Sequence, residues 1–384
     1  MSDLLWPGDA RGGDHLTDRS FLRAMVMVEE AWLDVLGIAH GPLPDVDPVA
    51  VPSESGGNPV IGLVEILRER LEGDAALWVH RGLTSQDVVD SALMVLLRDA
   101  VCSVRRELRE QVGLLADLAE THRTTPMVGR TLTQHAVPIT FGLKVSGWLT
   151  AILDAEEDLA SLSFPVQLGG AAGTMAAVVE LGLDPAAARD QLSAALGLAP
   201  SLPWHTSRAP VTRIGDAAVG CTDAWGRVAN DVLTLSRPEI GELAEGEGGG
   251  SSTMPHKHNP VLSALIRRAA LAAPQLAATL HVAAVSSVDE RAAGAWHLEW
   301  ATVATLVRRT VVAGSQATDL LAGLQVRTDR MAATLGAADI GSEQEAIAQL
   351  AGHAPSTEYR GATDEIIDTV LDRARRSLKS EEDT

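Results

Sequence analysis

Residues 246–260 read Gly-Glu-Gly-Gly-Gly-Ser-Ser-Thr-Met-Pro-His-Lys-His-Asn-Pro. Four glycines and two serines within 246–252 specify a backbone that is either mobile or unusually shaped. No Gly-Lys-Ser/Thr closes the stretch, so it is not a phosphate-binding P-loop. Asn259-Pro260 suits an N-cap followed by proline in the first helical turn, opening an expected helix over 261–288. Backbone N–H groups at that start would favour an anion, and Lys257 adds a full positive charge two residues ahead of the cap. A free serine hydroxyl is a very poor base, and it needs cations and N–H dipoles to stabilise its alkoxide. Ser251 and Ser252 beside Lys257 therefore suggest a hydroxyl that exchanges a proton. On composition alone, a flexible surface loop with an incidental lysine is an equal reading.

Outward from this loop, helical periodicity dominates. Residues 85–122 read as one largely helical span, with Val88, Val89, Ala92, Leu93, Leu96 and Leu97 recurring at helical spacing. Further helices are expected over 137–162, 211–235, 260–288 (kinked at Pro274) and 297–327. Several reach lengths of about 25 residues, against a globular average of about 11–12. Strand signals are scarce, and aromatic residues make up only 3% of the chain. Long helices with broad apolar faces imply a bundle with burial between subunits. Breaks fall at 37–59, 124–129, 163–173, 199–210 and 241–259.

The 384 residues, 46% hydrophobic and 21% charged, suffice for a sizeable core. A formal net charge of −20 argues against non-specific binding to nucleic acid or an anionic membrane. Residues 1–100, with 17 acidic and 7 basic side chains, carry half of that charge. An anionic ligand must then be held by local cations against the overall field. Only three lysines occur, Lys144, Lys257 and Lys379, so one inside a glycine-rich loop invites a reason. Cys102 and Cys221 are too few for a disulfide framework, which fits a reducing cytoplasm. The N-terminal residues lack a signal-peptide plan, and no apolar run is expected to reach the roughly 20 residues that span a bilayer. His256, His258 and His297 lack metal-ligand spacing, so no metal site is expected.

Other polar residues carry two readings each. Arg208 and Arg291 suit bidentate clamping of a carboxylate, or a structural ion pair. His205 either lines a pocket or bonds to loop backbone. His297 and Glu299 form either a proton relay or a structural pair at a helix start.

Gly-Ser-Ser-Thr-Met-Pro-His-Lys-His-Asn-Pro, residues 250–260, resembles the G-S-S-x-M-P-x-K-x-N signature of the fumarase/aspartase/argininosuccinate lyase superfamily. The resemblance makes Ser251 the catalytic acid or base, and Lys257 and Asn259 ligands of a substrate carboxylate. Two partner segments also have counterparts. In His80-Arg-Gly-Leu-Thr-Ser-Gln-Asp87, Thr84, Ser85 and Gln86 read on their own as a helix-capping motif, and with the resemblance as hydroxyl and amide donors to a substrate carboxylate. Gly129-Arg-Thr-Leu-Thr-Gln-His-Ala-Val-Pro138, read as a loop leading into a helix, is similar to the family element G-R-T-H-x-Q and contributes Thr131 and Gln134. Leu132 stands at the family's histidine position, and His135 follows three residues later. That pattern is similar to the G-R-T-x-x-Q-H-A-x-P of bacterial 3-carboxy-cis,cis-muconate cycloisomerases, as are residues 168–174, 203–206 and 290–300.

The resemblance implies an all-α, three-domain fumarase/aspartase-like fold: an N-terminal helical domain over 1–91, a central long-helix bundle over 92–328 and a small C-terminal helical domain over 329–384. It also implies a homotetramer with a four-subunit helical core and active sites shared between subunits, acting on a small polycarboxylate without cofactor or metal. The implied reaction closes 3-carboxy-cis,cis-muconate to 4-carboxymuconolactone, with Ser251, His135 and Lys257 as catalytic residues. The alternatives are a β-elimination releasing fumarate, adenylosuccinate-like or nitrosuccinate-like, and a catalytically silent protein on the same scaffold.

Overall fold

The computed structural model describes residues 3–246, 249–250, 254, 257–356 and 359–379. Helix α1 (Asp18–Val35) opens on a reciprocal capping box between Thr17 and Ser20. Helices α2 (Pro59–Arg70) and α3 (Gly73–Trp78) lead to α4 (Ser85–Thr121), the 37-residue helix expected from its apolar spacing. Strands β1 (Pro126–Thr131) and β2 (Gln134–Thr140) then form an antiparallel hairpin, followed by α5 (Phe141–Ala160). Helices α6 (Ala176–Glu180) and α7 (Pro185–Leu196) precede α8 (Ala209–Leu235). Strand β3 (Leu243–Ala244), helices α9 (Val261–Val285) and α10 (Ala295–Ala322) and strand β4 (Gln325–Val326) come next, β3 pairing antiparallel with β4. Helices α11 (Thr328–Ala337), α12 (Ser342–Ala351) and α13 (Thr363–Lys379) complete the order.

The fold is mostly helical, and the long helices lie where periodicity placed them. Residues 129–138 differ: they belong to the hairpin rather than to a loop entering a helix, and α5 begins at Phe141 instead of near 137. The hairpin turn is Leu132-Thr133, with φ of 49° and 69°. Two consecutive left-handed residues make the turn that matches strand twist, but it is normally signalled by Asn-Gly or Gly-Gly, and neither is present. Helix α9 also corrects an expectation. By length and composition it reaches what a membrane span requires, although Arg267, Arg268 and Pro274 stand within it.

The chain forms two compact units, each drawn from three separated stretches: 1–103, 161–219 and 272–312 in the first, and 104–160, 220–271 and 313–384 in the second. In the second unit, Trp148 and Trp225 are buried, their indole N–H groups donating to Asp231 (2.8 Å) and Gln111 (2.7 Å). Gln111 in turn donates to the Gly314 carbonyl and the Thr318 hydroxyl, each at 3.0 Å. A Cβ on Gly226 would lie 2.6 Å from that of Ala270, so glycine here permits close approach of two helices. Helix α13 buries Ile367, Leu371 and Ala374, while its Arg373 pairs with Asp154 and Glu157 of α5.

The first unit is organised around a buried charge. Arg208, 3% exposed, donates from Nη1 and Nη2 to Asp90 (2.8 and 3.0 Å) and from Nε and Nη2 to Glu299 (3.0 and 2.7 Å). Asp90 also accepts from Trp296 Nε1 (2.9 Å), Gln167 Nε2 (3.0 Å) and Gln86 Nε2 (3.2 Å). Burial would push the Asp90 carboxyl up, but the adjacent guanidinium and its hydrogen bonds hold it below the usual carboxylate range. For Glu299, burial prevails over Arg208 and raises it.

Arg208→Met should cost about 3–5 kcal/mol, read as a fall in thermal midpoint, because it leaves two buried carboxylates without their shared cation. Asp90 also gives stability a pH dependence. Its folded pKa lies below the ordinary 3.8, so its contribution is complete above that value and disappears as pH falls through the folded pKa. Acid titration followed by circular dichroism should show a smaller loss in that window for Asp90→Asn than for the wild type, starting from a lower stability.

Candidate functional site

In the second unit, Glu245 follows β3 and reaches the start of α9. Its carboxylate accepts from the N–H groups of Leu262 (3.1 Å) and Ser263 (2.8 Å) and from the Ser263 hydroxyl (2.6 Å). The anion at this helix N-terminus is therefore the chain's own Glu245, which replaces the expected N-cap role of the Asn259 side chain and fills the place expected for a ligand. Asn259 instead bridges Gly249 through two reciprocal backbone hydrogen bonds of 2.8 Å each. A Cβ on Gly249 would lie 2.2 Å from Val261 Cγ2, so the neck of the loop closes only with glycine there. Lys257 is exposed, and among the described residues its ammonium has no ion-pair partner. Ser251, Ser252 and His256 lie outside the described residues.

The hairpin belongs to the same unit. Thr131 and Gln134 face each other across the turn, His135 lies opposite Arg130, and all three site candidates are exposed. Arg130 makes two hydrogen bonds to the fully buried Glu242 (3.0 and 2.7 Å), which directly precedes β3. The arginine of the G-R-T element is thus an anchor that ties the hairpin to the strand leading into the glycine loop.

In the first unit, the start of α4 is held by the Asp87 carboxylate. It accepts from the N–H groups of Thr84 (3.0 Å), Gly169 (2.8 Å) and Gly170 (3.0 Å) and contacts His205 Nε2 at 3.2 Å. A Cβ on Gly169 would meet His205 Cε1 at 2.7 Å, so the 168–174 and 203–206 stretches pack through this glycine. Gln86 is fully buried and donates to Asp90 and the His205 carbonyl. Thr84 and Ser85 remain half-buried. Arg291 donates from Nη2 to Thr84 Oγ1 at 2.6 Å, its Nε is buried without a partner, and among the described residues no carboxylate pairs with it.

Arg291 and the Thr84 hydroxyl, at the positive end of a 37-residue helix, make a cradle suited to a carboxylate. Of the two readings for Arg208, the structure matches the structural ion pair: its guanidinium is spent on Asp90 and Glu299 inside the core. Glu299 accordingly pairs with Arg208, and His297 is exposed one turn-face away, its ring 4.9 Å from that of Trp300. Thr84, Ser85, Gln86 and Arg291 meet in the first unit, whereas Thr131, Gln134, His135, Lys257 and Asn259 belong to the second.

Sequence reasoning missed Glu245, Glu242 and Asp87 as the anions that hold these elements. Only Asp87 had a local signal, an acid three residues after Thr84 in the manner of a capping box.

Residues 51–274 match the protein family described as Lyase. Nitrosuccinate lyase of Streptomyces davaonensis is 42% identical over 349 residues, covering 87% of this chain and 73% of that protein. The 3-carboxy-cis,cis-muconate cycloisomerase of Pseudomonas aeruginosa is 42% identical over 302 residues, covering 76% of this chain, which spans 65% of that relative's length. The crystal structure of 3-carboxy-cis,cis-muconate lactonizing enzyme from Pseudomonas putida superposes with a TM-score of 0.80 at 28% identity, covering 98% of this chain and 89% of that one. Fumarate lyase from Mesorhizobium superposes with a TM-score of 0.78 at 30% identity, covering 96% and 86%. Sequence motif, helical architecture and these matches agree that the chain belongs to the fumarase/aspartase/argininosuccinate lyase superfamily.

Proposed function

We propose that the protein is a cycloisomerase closing 3-carboxy-cis,cis-muconate to 4-carboxymuconolactone. The observation that carries an anionic substrate is Arg291, a half-buried cation with no carboxylate partner among the described residues, bonded to Thr84 at the start of α4. Similarity to several cycloisomerases supports the choice of substrate.

In this reaction one substrate carboxylate adds across a carbon–carbon double bond, and a proton reaches the neighbouring carbon. Negative charge builds on the carboxylate beside that carbon as an enediolate forms. Lys257 and Asn259 stabilise this charge, and Ser251 delivers the proton. The N–H groups of Leu262 and Ser263 take no part, being committed to Glu245. Thr84, Ser85 and Arg291 hold a second carboxylate, Gln86 fixing the start of α4 from the core through Asp90 and the His205 carbonyl, with Thr131, Gln134 and His135 of the hairpin completing the site in a homotetramer. The nucleophile is a carboxylate, so no acid is needed for a leaving amine, and Leu132 at the usual histidine position is tolerated.

A second reading, elimination of nitrous acid from nitrosuccinate to give fumarate, is favoured by the longer match to nitrosuccinate lyase at equal identity. One experiment separates the two. Purified protein is mixed with each substrate, and loss of the conjugated-diene absorbance is followed beside release of nitrite and fumarate. Diene loss in the wild type, abolished in Ser251→Ala, supports the cycloisomerase; nitrite release without diene loss transfers the function to the second reading. Arg291→Met should raise KM about 10–100-fold while leaving the thermal midpoint nearly unchanged. Light scattering at micromolar concentration should report a tetramer, and a monomer there overturns the shared-site arrangement.

A further inference from the structure

A cavity of about 610 Å³ opens within the first unit. Its volume suits a small-molecule site. Buried Leu22, Met25 and Leu93 form its apolar floor, and Phe21 and Trp300 add aromatic wall. Two of its polar side chains are already occupied by helix caps: the Thr17 hydroxyl accepts from Ser20 N–H at 3.2 Å and the Asn58 side-chain oxygen from Val60 N–H at 3.0 Å. The charged groups left at the cavity are the exposed carboxylates of Asp18 and Glu54. Among the described residues no lysine or arginine lines it, and neither carboxylate has an ion-pair partner. His297, for which the sequence offers a proton relay or a structural pair, also lines this cavity and stands 3.8 Å from where a Gly57 Cβ would lie.

We propose that this cavity binds a hydrophobic organic cation. Two unneutralised carboxylates at the wall of an apolar cavity attract positive charge and repel the polycarboxylate that the superfamily site would take. Aromatic Trp300 and Phe21 in the lining suit a cation, and the floor buries its hydrocarbon body. The site is separate in chemistry from the Thr84–Arg291 cradle, whose unpaired charge has the opposite sign. It does not depend on which substrate the enzyme turns over.

The test compares two probes with the same apolar body and opposite charge, 4-phenylbutylammonium and 4-phenylbutyrate, titrated into the full chain by calorimetry at pH 7. The cation should bind at least about tenfold more tightly than the anion. In the double variant Asp18→Asn/Glu54→Gln, both changes at exposed positions, that preference should fall to within about threefold. Ala304→Trp, which fills the cavity from α10, should abolish binding of the cation while the helical circular dichroism is retained. Equal binding of the two probes, a preference that survives the double variant, or no heat from the cation at about ten millimolar would each overturn the proposal.

Discussion

A guanidinium sealed from water and shared by two carboxylates is the constraint on which the first unit depends. Taking Arg208, Asp90 and Glu299 out of solvent is costly, and the cost is offset only when every donor and acceptor is matched. The matching is dense: Asp90 alone takes hydrogen bonds from Arg208, Trp296, Gln167 and Gln86. These residues come from α4, the 163–173 break, the stretch ahead of α8 and the start of α10, four places far apart in the chain. Because a half-satisfied network in low dielectric is worse than none, the four segments are held in one arrangement or lose it together. Thr84 lies on the turn that begins this helix, and Arg291 just ahead of the helix that carries Trp296 and Glu299. The carboxylate cradle therefore inherits its geometry from a charge cluster that never meets solvent.

The same principle governs the second unit with different residues. Glu245 neutralises the start of α9, and Glu242 neutralises Arg130 at the root of the hairpin. Asp87 does the corresponding work at the start of α4. The chain thus satisfies its structural cations and helix dipoles with its own carboxylates. Lys257 and Arg291 are among the cations that no described carboxylate answers. An unanswered charge is more informative about ligand chemistry than a count of basic residues, because most arginines here are already spoken for.

Much of this was legible in the sequence for physical reasons. The apolar spacing that begins at Val88 is a repeated local signal over many turns, and α4 runs close to where it predicts. The signature around Lys257 and Asn259 identifies the superfamily because a glycine-rich approach, a lysine and a proline-opened helix occur in fixed register. The hairpin was illegible: its turn is made by Leu132 and Thr133 in a conformation that favours glycine or asparagine, so the usual punctuation is missing. The roles of Arg208 and Glu245 were equally hidden. An arginine suited to clamping a substrate carboxylate clamps internal ones just as well, and only the long-range contacts to Asp90 and Glu299 decide between them. Glu245 caps a helix from seventeen residues upstream of Leu262, beyond any local capping pattern.

A net charge of −20 and an anionic substrate look incompatible until distance is considered. At physiological ionic strength, exposed charges separated by more than about 8 Å are largely screened from one another. The acidic surface therefore adds solubility and a weak background repulsion, while affinity is set by the few groups in contact with the ligand. An ammonium on an exposed loop such as Lys257 is a flexible point charge and gains strength only when water is excluded around it. Arg291 is already partly desolvated and oriented by Thr84, so less ordering remains to be done when a carboxylate arrives. The two cations thus suit different tasks in the proposed reaction: Arg291 would hold a carboxylate in a prepared place, and Lys257 would answer charge that develops as the reaction proceeds.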